Sequence, residues 1–180
     1  GHGGVDAGAT GNQIIEKDLN LILTRKLEKE LVSRGATVYL TREDDKDLST
    51  TTVNRKRSDL YNRAKYINKI SPNMYISIHL NSVTNSSWRG LQVFYTTKSE
   101  ENKLIAETIT NHLRKNMSNV REIKKDNTYY MYKHITSPGV LIEAGFISNS
   151  NDSYLLRNKE YQDKLISSIS DSIEIYFQKK

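Results

Sequence analysis

The chain has 180 residues, of which 36% are hydrophobic and 27% charged, so length and composition favour one folded domain and exclude a disordered or low-complexity protein. It has no cysteine, which excludes disulfides and thiolate metal ligands, and its formal net charge is +6. No run of about 18 apolar residues occurs, so no membrane span is predicted.

Basic residues cluster at positions 55–57, 124–125 and 179–180. Such runs usually form solvated helix faces and tails, and we favour that interpretation. The alternative is attraction to an anionic polymer, either nucleic acid or an acidic cell wall. No nucleic-acid-binding motif supports the first of these two partners.

The first half of the chain predicts two helices and one strand. Apolar residues recur at spacings of three and four over 12–34, which predicts a helix capped by Asn12 and ended by Gly35. The segment 36–40 is predicted to be a strand, and 42–52 a polar loop. A second helix is predicted over 53–70.

The second half predicts three strands and two helices. Strands are expected at 74–78, 91–96 and 139–142, and helices at 100–117 and 160–177. A loop rich in Asn and Ser leads from the first of these strands to Trp88. The state of 129–132, which is rich in tyrosine, is left open.

This alternation predicts a single α/β domain with a mainly parallel, twisted sheet and helices on both faces. The apolar strands at 76–78 and 140–142 fit a sheet that is covered on both sides. The chain opens at Gly1 within an apparent loop that a strand would normally feed. We therefore expect a first strand, and with it any export signal or anchor, to lie upstream of the sequence.

Four residues capable of metal or acid–base chemistry are predicted to meet at one edge of this sheet. His79 and Glu143 each follow an apolar strand, and ligands of open α/β sheets collect at the carboxyl ends of strands. His2 lies in a glycine-rich loop that the expected first strand would feed, and Glu16 lies in the first turn of the helix leaving that loop.

The two histidines are interpreted as ligands. His2 stands between glycines, which let the backbone approach a ligand closely, although a plain turn is the alternative. His79 could instead be a structural histidine with a satisfied hydrogen bond. Asn81 and Ser82, which follow it, are suitable donors to the metal ligands or to substrate. His112 is expected at the surface, and His134 is a weaker candidate for touching substrate.

The two carboxylates have credible structural alternatives. Glu16 could simply favour the helix dipole. Glu143 follows four apolar residues, so we expect partial burial, which would raise its pKa toward the range useful for proton transfer. The alternative for Glu143 is an ion pair with Arg42 or Arg63.

Several aromatic residues are candidates for contact with a sugar substrate. Trp88 and the tyrosines at 129, 130 and 132 could stack on sugar rings, but packing in the core or at its rim is the favoured interpretation. No phrase is typical of a nucleophile elbow or of a phosphate-binding loop.

The phrases around the four candidates read GHGGVDAGA, IIEKDLNL, SIHLNS and PGVLIEAGFISN. Together they resemble the zinc-dependent N-acetylmuramoyl-L-alanine amidases of the amidase_3 type, and the resemblance covers essentially the whole chain. TRED at 41–44 and RKRSDLYNRAKYIN also look like blocks of that family. These sequence motifs are most similar to those of the family's germination-specific branch. Enzymes of that branch remove peptides from muramic acid of the spore cortex, a step in the formation of muramic-δ-lactam.

The resemblance implies a site and a reaction. It implies Zn²⁺ held by His2, Glu16 and His79, with Glu143 as the base for hydrolysis of the amide joining the lactyl group of muramic acid to L-alanine. Asn81, Arg42 and Arg63 would then act on substrate or support the site from behind. Residues 1–180 would form one catalytic domain.

The resemblance also bears on the substrate, the location, protein partners and the alternative functions. It implies a peptidoglycan substrate in the cell wall or spore cortex, an extracytoplasmic location in a bacterium, and in some members an activating protein partner. A zinc metallopeptidase that cuts peptide stems is the nearest alternative, since the same ligands serve both reactions. A non-catalytic module that binds the cell wall is the alternative from another class.

Overall fold

The structure is a computed structural model that describes residues 1–179. The helices are α1 Glu16–Ser33, α2 Arg55–Ile70, α3 Glu100–Asn116, α4 Tyr130–His134, α5 Ser150–Arg157 and α6 Lys159–Gln178. The strands are β1 Thr10–Gly11, β2 Ile14–Ile15, β3 Tyr75–Asn81, β4 Gln92–Tyr95, β5 Lys124–Lys125 and β6 Gly139–Phe146. Within that range, no helix is both long and apolar enough to cross a membrane.

The main sheet has four strands in the order β3-β6-β4-β5. The pairs β3–β6 and β4–β5 are parallel, whereas β4 runs antiparallel to β6, so the sheet is mixed. The predicted α/β class is confirmed, with β4 as the departure from a mainly parallel sheet. The β3–β6 register places His79 directly beside Glu143.

Helices cover both faces of the sheet, as predicted. The larger core lies where α1, α3 and α6 contribute Leu23, Ile109 and Ile169, all buried. A smaller cluster lies under α2 and α4 and includes Ile67 and Tyr132. These two layers fix the sheet edge that carries the candidate site.

The first helix begins four residues later than predicted. Asn12 is not its N-cap: β1 and β2 form a small antiparallel hairpin whose turn holds Asn12 and Gln13 at positive φ. The Asn12 side chain donates instead to the Ile147 carbonyl oxygen, over 2.7 Å. As a result α1 starts at Glu16 itself, and its first side chain sits against the His2 loop.

The strand predicted at 36–40 is wrong, because no strand in residues 1–179 pairs with this segment. A lone segment has no ladder of hydrogen bonds to hold it as a strand. It borders a cavity of about 1230 Å³ that also runs along the outer edge of β3 and reaches His2, His79 and Glu143. The strand expected upstream of Gly1 concerns residues outside the sequence and stays a prediction.

Strands β3 and β6 are longer than predicted, and one helix was missed. β3 and β6 extend to Asn81 and Phe146, so His79 and Glu143 lie within their carboxyl-terminal halves rather than after them. Helix α5 follows β6 directly, where the Asn149 side chain accepts from two backbone N–H groups as the N-cap. α5 packs against β6 and α6.

Candidate metal centre and catalytic site

The His2 loop presents its imidazole through a tight turn. Gly3 and Asp6 exchange backbone hydrogen bonds of 3.0 and 3.1 Å. The Asp6 carboxylate lies 2.8 Å from His2 Nδ1, which leaves Nε2 pointing at Glu16. An outer carboxylate that fixes one imidazole nitrogen and frees the other for a metal is a recurrent arrangement in metal sites.

Gly8 allows this loop to lie against α1. It has φ +68°, and a Cβ at this position would lie 2.6 Å from Glu16 Oε2 and 2.8 Å from the His2 ring. Since an L side chain rarely adopts that φ and no space exists for one, glycine is required here. The close approach brings His2 and Glu16 together.

Glu16 is the first residue of α1 and is almost fully buried. Its Oε1 lies 3.0 Å from His79 Nδ1 and 3.2 Å from His2 Nε2, while Oε2 accepts from the Ala9 N–H over 2.8 Å. Burial by itself would raise the pKa of Glu16, but hydrogen bonds from the two histidines outweigh it and hold that pKa far below its usual range. Glu16 is therefore an anion at the centre of the cluster.

His2, Glu16 and His79 can share one metal ion. One ligand atom from each lies within 4.8 Å of the other two. Burial lowers the pKa of His79 to about 4, so its imidazole is neutral at physiological pH, as metal ligation requires. His79 Nε2 is buried without a hydrogen-bond partner among residues 1–179. Two imidazoles and one carboxylate form a donor set that suits Zn²⁺.

Glu143 lies on β6 beside His79 and forms no ion pair with any of residues 1–179. Its Oε2 is buried and makes no hydrogen bond within the part of the chain that the structure describes. Burial and then the charge of Glu16 raise the pKa of Glu143 to about 8. The alternative of an ion pair with Arg42 or Arg63 is wrong, and the carboxyl group is left available for proton transfer.

The raised pKa of Glu143 predicts a pH-dependent stability of the metal-free protein. The folded chain keeps a proton at Glu143 that the unfolded chain loses between pH 4.5 and about 8, so stability falls as pH rises through this window. Two groups act in the opposite direction: His79 between pH 4 and 6.5, and the buried Gly1 amino group, whose pKa is lowered to about 4, up to pH 8. The Glu143 contribution is therefore the difference in slope between wild type and Glu143→Gln, which we expect to reach about 1.4 kcal/mol per pH unit in urea unfolding with chelator present. Equal slopes in the two proteins would show that Glu143 does not contribute.

Arg42 and Arg63 lie behind the His2 loop and are almost fully buried. Arg63 donates to the His2 carbonyl oxygen over 2.9 Å and pairs with Asp59 over 2.8 Å. Arg42 donates to the carbonyl oxygens of Gly1 and Lys17. These contacts orient the loop and the start of α1. Both guanidinium groups are thus engaged in hydrogen bonds with the protein itself.

Arg63→Gln is expected to lower the free energy of unfolding by about 3–5 kcal/mol, because it leaves the buried Asp59 carboxylate unpaired. Urea denaturation of the metal-free protein measures this loss. The double variant Arg63→Gln, Asp59→Asn removes the uncompensated charge and should recover a large part of the stability. Equal losses in the single and double variants would contradict the buried-charge explanation.

The remaining candidates lie at or outside the rim. Asn81 ends β3 opposite Phe146, half-buried, two residues beyond His79. His112 is not a free surface residue, since its Nε2 lies 3.5 Å from Asp171. His134 packs its ring on Tyr130, with centroids 4.3 Å apart.

Two supporting residues were missed by the sequence analysis. Asp6, four residues after His2, carried a signal that could have been used: an acid in a glycine-rich loop next to a ligand histidine. Asp59 precedes Arg63 by one helical turn, a spacing typical of an ion pair. Its burial, however, depends on packing of α2 against the loop and has no local sequence signal.

Comparisons with known proteins identify the family to which this chain belongs. A family model described as Amidase_3, N-acetylmuramoyl-L-alanine amidase, matches residues 1–175. A germination-specific N-acetylmuramoyl-L-alanine amidase of Bacillus subtilis is 42% identical over 185 residues, which cover 100% of this chain and 78% of the relative. The amidase LytC of the same organism is 30% identical, with 99% of this chain and 34% of LytC covered.

Two solved structures are similar throughout. The CwlD amidase of Clostridioides difficile, in complex with the GerS lipoprotein, superposes with a TM-score of 0.94 at 36% identity and covers 100% of this chain and 96% of that one. The catalytic domain of the amidase CwlV from Bacillus (Paenibacillus) polymyxa gives 0.86 at 29% identity, with 100% and 96% covered.

Proposed function

Because this chain belongs to the Amidase_3 family of N-acetylmuramoyl-L-alanine amidases, we propose that it hydrolyses the amide bond that joins the lactyl group of muramic acid to L-alanine. In this proposal His2, Glu16 and His79 hold a zinc ion and Glu143 is the base. The observation that carries the proposal is the convergence of these four side chains from four separate segments at one sheet edge. When bound, zinc supplies Lewis-acid chemistry: it polarises a carbonyl group and makes water more acidic.

Glu143 is proposed to move the protons of the reaction. Its ionised form takes a proton from the attacking water, and its protonated form gives that proton to the departing amine of L-alanine. A bound cation would lower the pKa of Glu143 below its metal-free value of about 8, toward physiological pH. The Glu143 carboxyl group can then act first as the base and afterwards as the acid, and no covalent intermediate is needed.

The neighbouring residues are proposed to keep this geometry fixed. Asp6 holds the His2 ring in the orientation that directs Nε2 to the metal, and Arg63 and Arg42 hold the loop that carries it. Asn81 at the rim is proposed to contact substrate. Residues 1–180 act as one catalytic domain in this proposal.

The substrate is proposed to be peptidoglycan of the spore cortex. The support is the 42% identity to a germination-specific amidase and the likeness to a CwlD structure. An extracytoplasmic location follows from that substrate. The C. difficile neighbour is bound to a lipoprotein, which supports a protein partner for this chain as well.

Digestion of purified peptidoglycan with zinc-loaded protein tests the function. Mass spectrometry should find glycans freed of peptide and peptides that begin with L-alanine. Cuts within the peptide stems would favour the metallopeptidase alternative, and binding without any product would favour a wall-binding module. Faster digestion of spore cortex than of vegetative wall is the result expected of the germination branch.

A further inference from the structure

Trp88 is an exposed aromatic residue stacked on a cation. Its side chain is 47% exposed, and the Arg121 guanidinium carbon lies 4.7 Å from the centre of its ring. The same guanidinium lies 5.7 Å from the ring of Phe146, which is buried. The indole therefore holds the guanidinium plane in place from one side.

The charge of Arg121 is not neutralised by the protein. No carboxylate within residues 1–179 lies within 4.0 Å of it, and its Nε is buried without an acceptor. One guanidinium nitrogen makes a long, 3.4 Å hydrogen bond to the Arg89 carbonyl oxygen. Several of its donors thus remain available to a ligand.

The loop that carries Trp88 is fixed at several points. Asn149, the buried N-cap of α5, donates to the Ser86 carbonyl oxygen over 2.7 Å, and the Gly90 N–H donates to Asp152 over 2.7 Å. The Trp88 N–H donates to the Asn85 carbonyl oxygen. The platform formed by Trp88 and Arg121 is therefore held in position before any ligand arrives.

The platform and the reaction site lie along the same strand. Phe146, whose ring both Trp88 and Arg121 approach, is three residues beyond Glu143 on β6, so at most roughly 10 Å of strand separates the two residues, and less where the β3–β6 register shifts. That distance corresponds to about three residues of an extended peptide. A peptide whose first residue sits at Glu143 would bring its later residues to the platform.

We propose that the Trp88–Arg121 platform binds a free carboxylate on the peptide that the enzyme releases. The proposal rests on the amidase function described above. A guanidinium fork matches a carboxylate with two parallel hydrogen bonds, whereas a neutral sugar ring over the indole would leave the charge of Arg121 unpaired. The platform thus sets a preference for peptides with free rather than amidated carboxyl groups.

The test uses two disaccharide-peptide substrates that differ only in whether the peptide carboxyl groups are free or amidated. Arg121→Gln should raise KM for the free-acid substrate roughly tenfold, with kcat little changed and the amidated substrate unaffected. Calorimetry of the released peptide gives a readout independent of turnover, and its Kd should rise by a similar factor. Arg121→Lys, which keeps the charge without the fork, should lie between.

Arg89→Gln is the matched control, because it removes an exposed neighbouring charge but keeps the backbone carbonyl oxygen that accepts from Arg121. Trp88→Ala should imitate Arg121→Gln, and Trp88→Phe should retain most of the preference. Equal losses on both substrates in these variants, or an equal loss in Arg89→Gln, would overturn the proposal; so would a wild type that ignores amidation. A wild type that binds the free-acid peptide selectively but hydrolyses neither substrate would contradict the zinc amidase mechanism and leave the platform standing.

Discussion

Glu143→Gln is expected to lower kcat by about 10²- to 10⁴-fold, the range that a positioned general base contributes, while zinc stays bound at the wild-type stoichiometry. The amide occupies nearly the same volume as the carboxyl group but cannot accept the proton of the attacking water. Since Glu143 is not among the three ligand residues, metal content should not change. Release of new L-alanine amino termini from peptidoglycan measures turnover.

Controls separate this chemical effect from damage to the fold. Glu160→Gln removes an exposed carboxylate from α6 and should keep full activity. Glu143→Gln itself should be at least as stable as wild type at pH 8 without metal, because it removes the buried ionisation. A variant that retained most of its turnover would show that Glu143 is not the base.

His79→Ala is expected to abolish stoichiometric zinc binding and activity together. Loss of one of three protein ligands should weaken zinc by more than the roughly 10- to 100-fold that loss of an outer-shell partner costs. Asp6→Asn provides that comparison, because it removes only the carboxylate that orients His2. Competition with a chromophoric chelator measures both affinities.

His112→Ala is the matched control for His79→Ala, since His112 lies on α3 beside Asp171 and outside the candidate site. It should bind one zinc ion per chain. If His79→Ala kept wild-type zinc affinity, the metal would be held elsewhere. If Asp6→Asn lost as much affinity as His79→Ala, Asp6 would act as a ligand rather than as an orienting group.

The candidate site was largely predictable because its residues follow strong local patterns. His79 and Glu143 each accompany an apolar strand, and strands of that kind pair in parallel, so their carboxyl ends meet. Glu16 was placed correctly at the start of its helix, although the helix boundary was not. The two positive-φ residues of the β1–β2 turn, Asn12 and Gln13, carry no signal that separates them from a helix start.

What could not be predicted depends on contacts between distant segments. A strand at 36–40 needs a neighbour, and the sequence pattern of the segment does not say whether one is present. The direction of β4 is set by its pairing with β6 and not by its own residues. Trp88 and Arg121 are 33 positions apart (121 − 88), and their stacking follows from the loop contacts of Asn149 and Asp152.

Coordination of one zinc ion by His2, Glu16 and His79 is tested by X-ray absorption at the zinc edge of the Glu143→Gln protein loaded with one equivalent of zinc. We expect coordinating N and O atoms at about 2.0–2.2 Å, with the more distant scattering of two imidazole rings. A spectrum with one imidazole or none, or one unchanged in His79→Ala, would contradict the assignment.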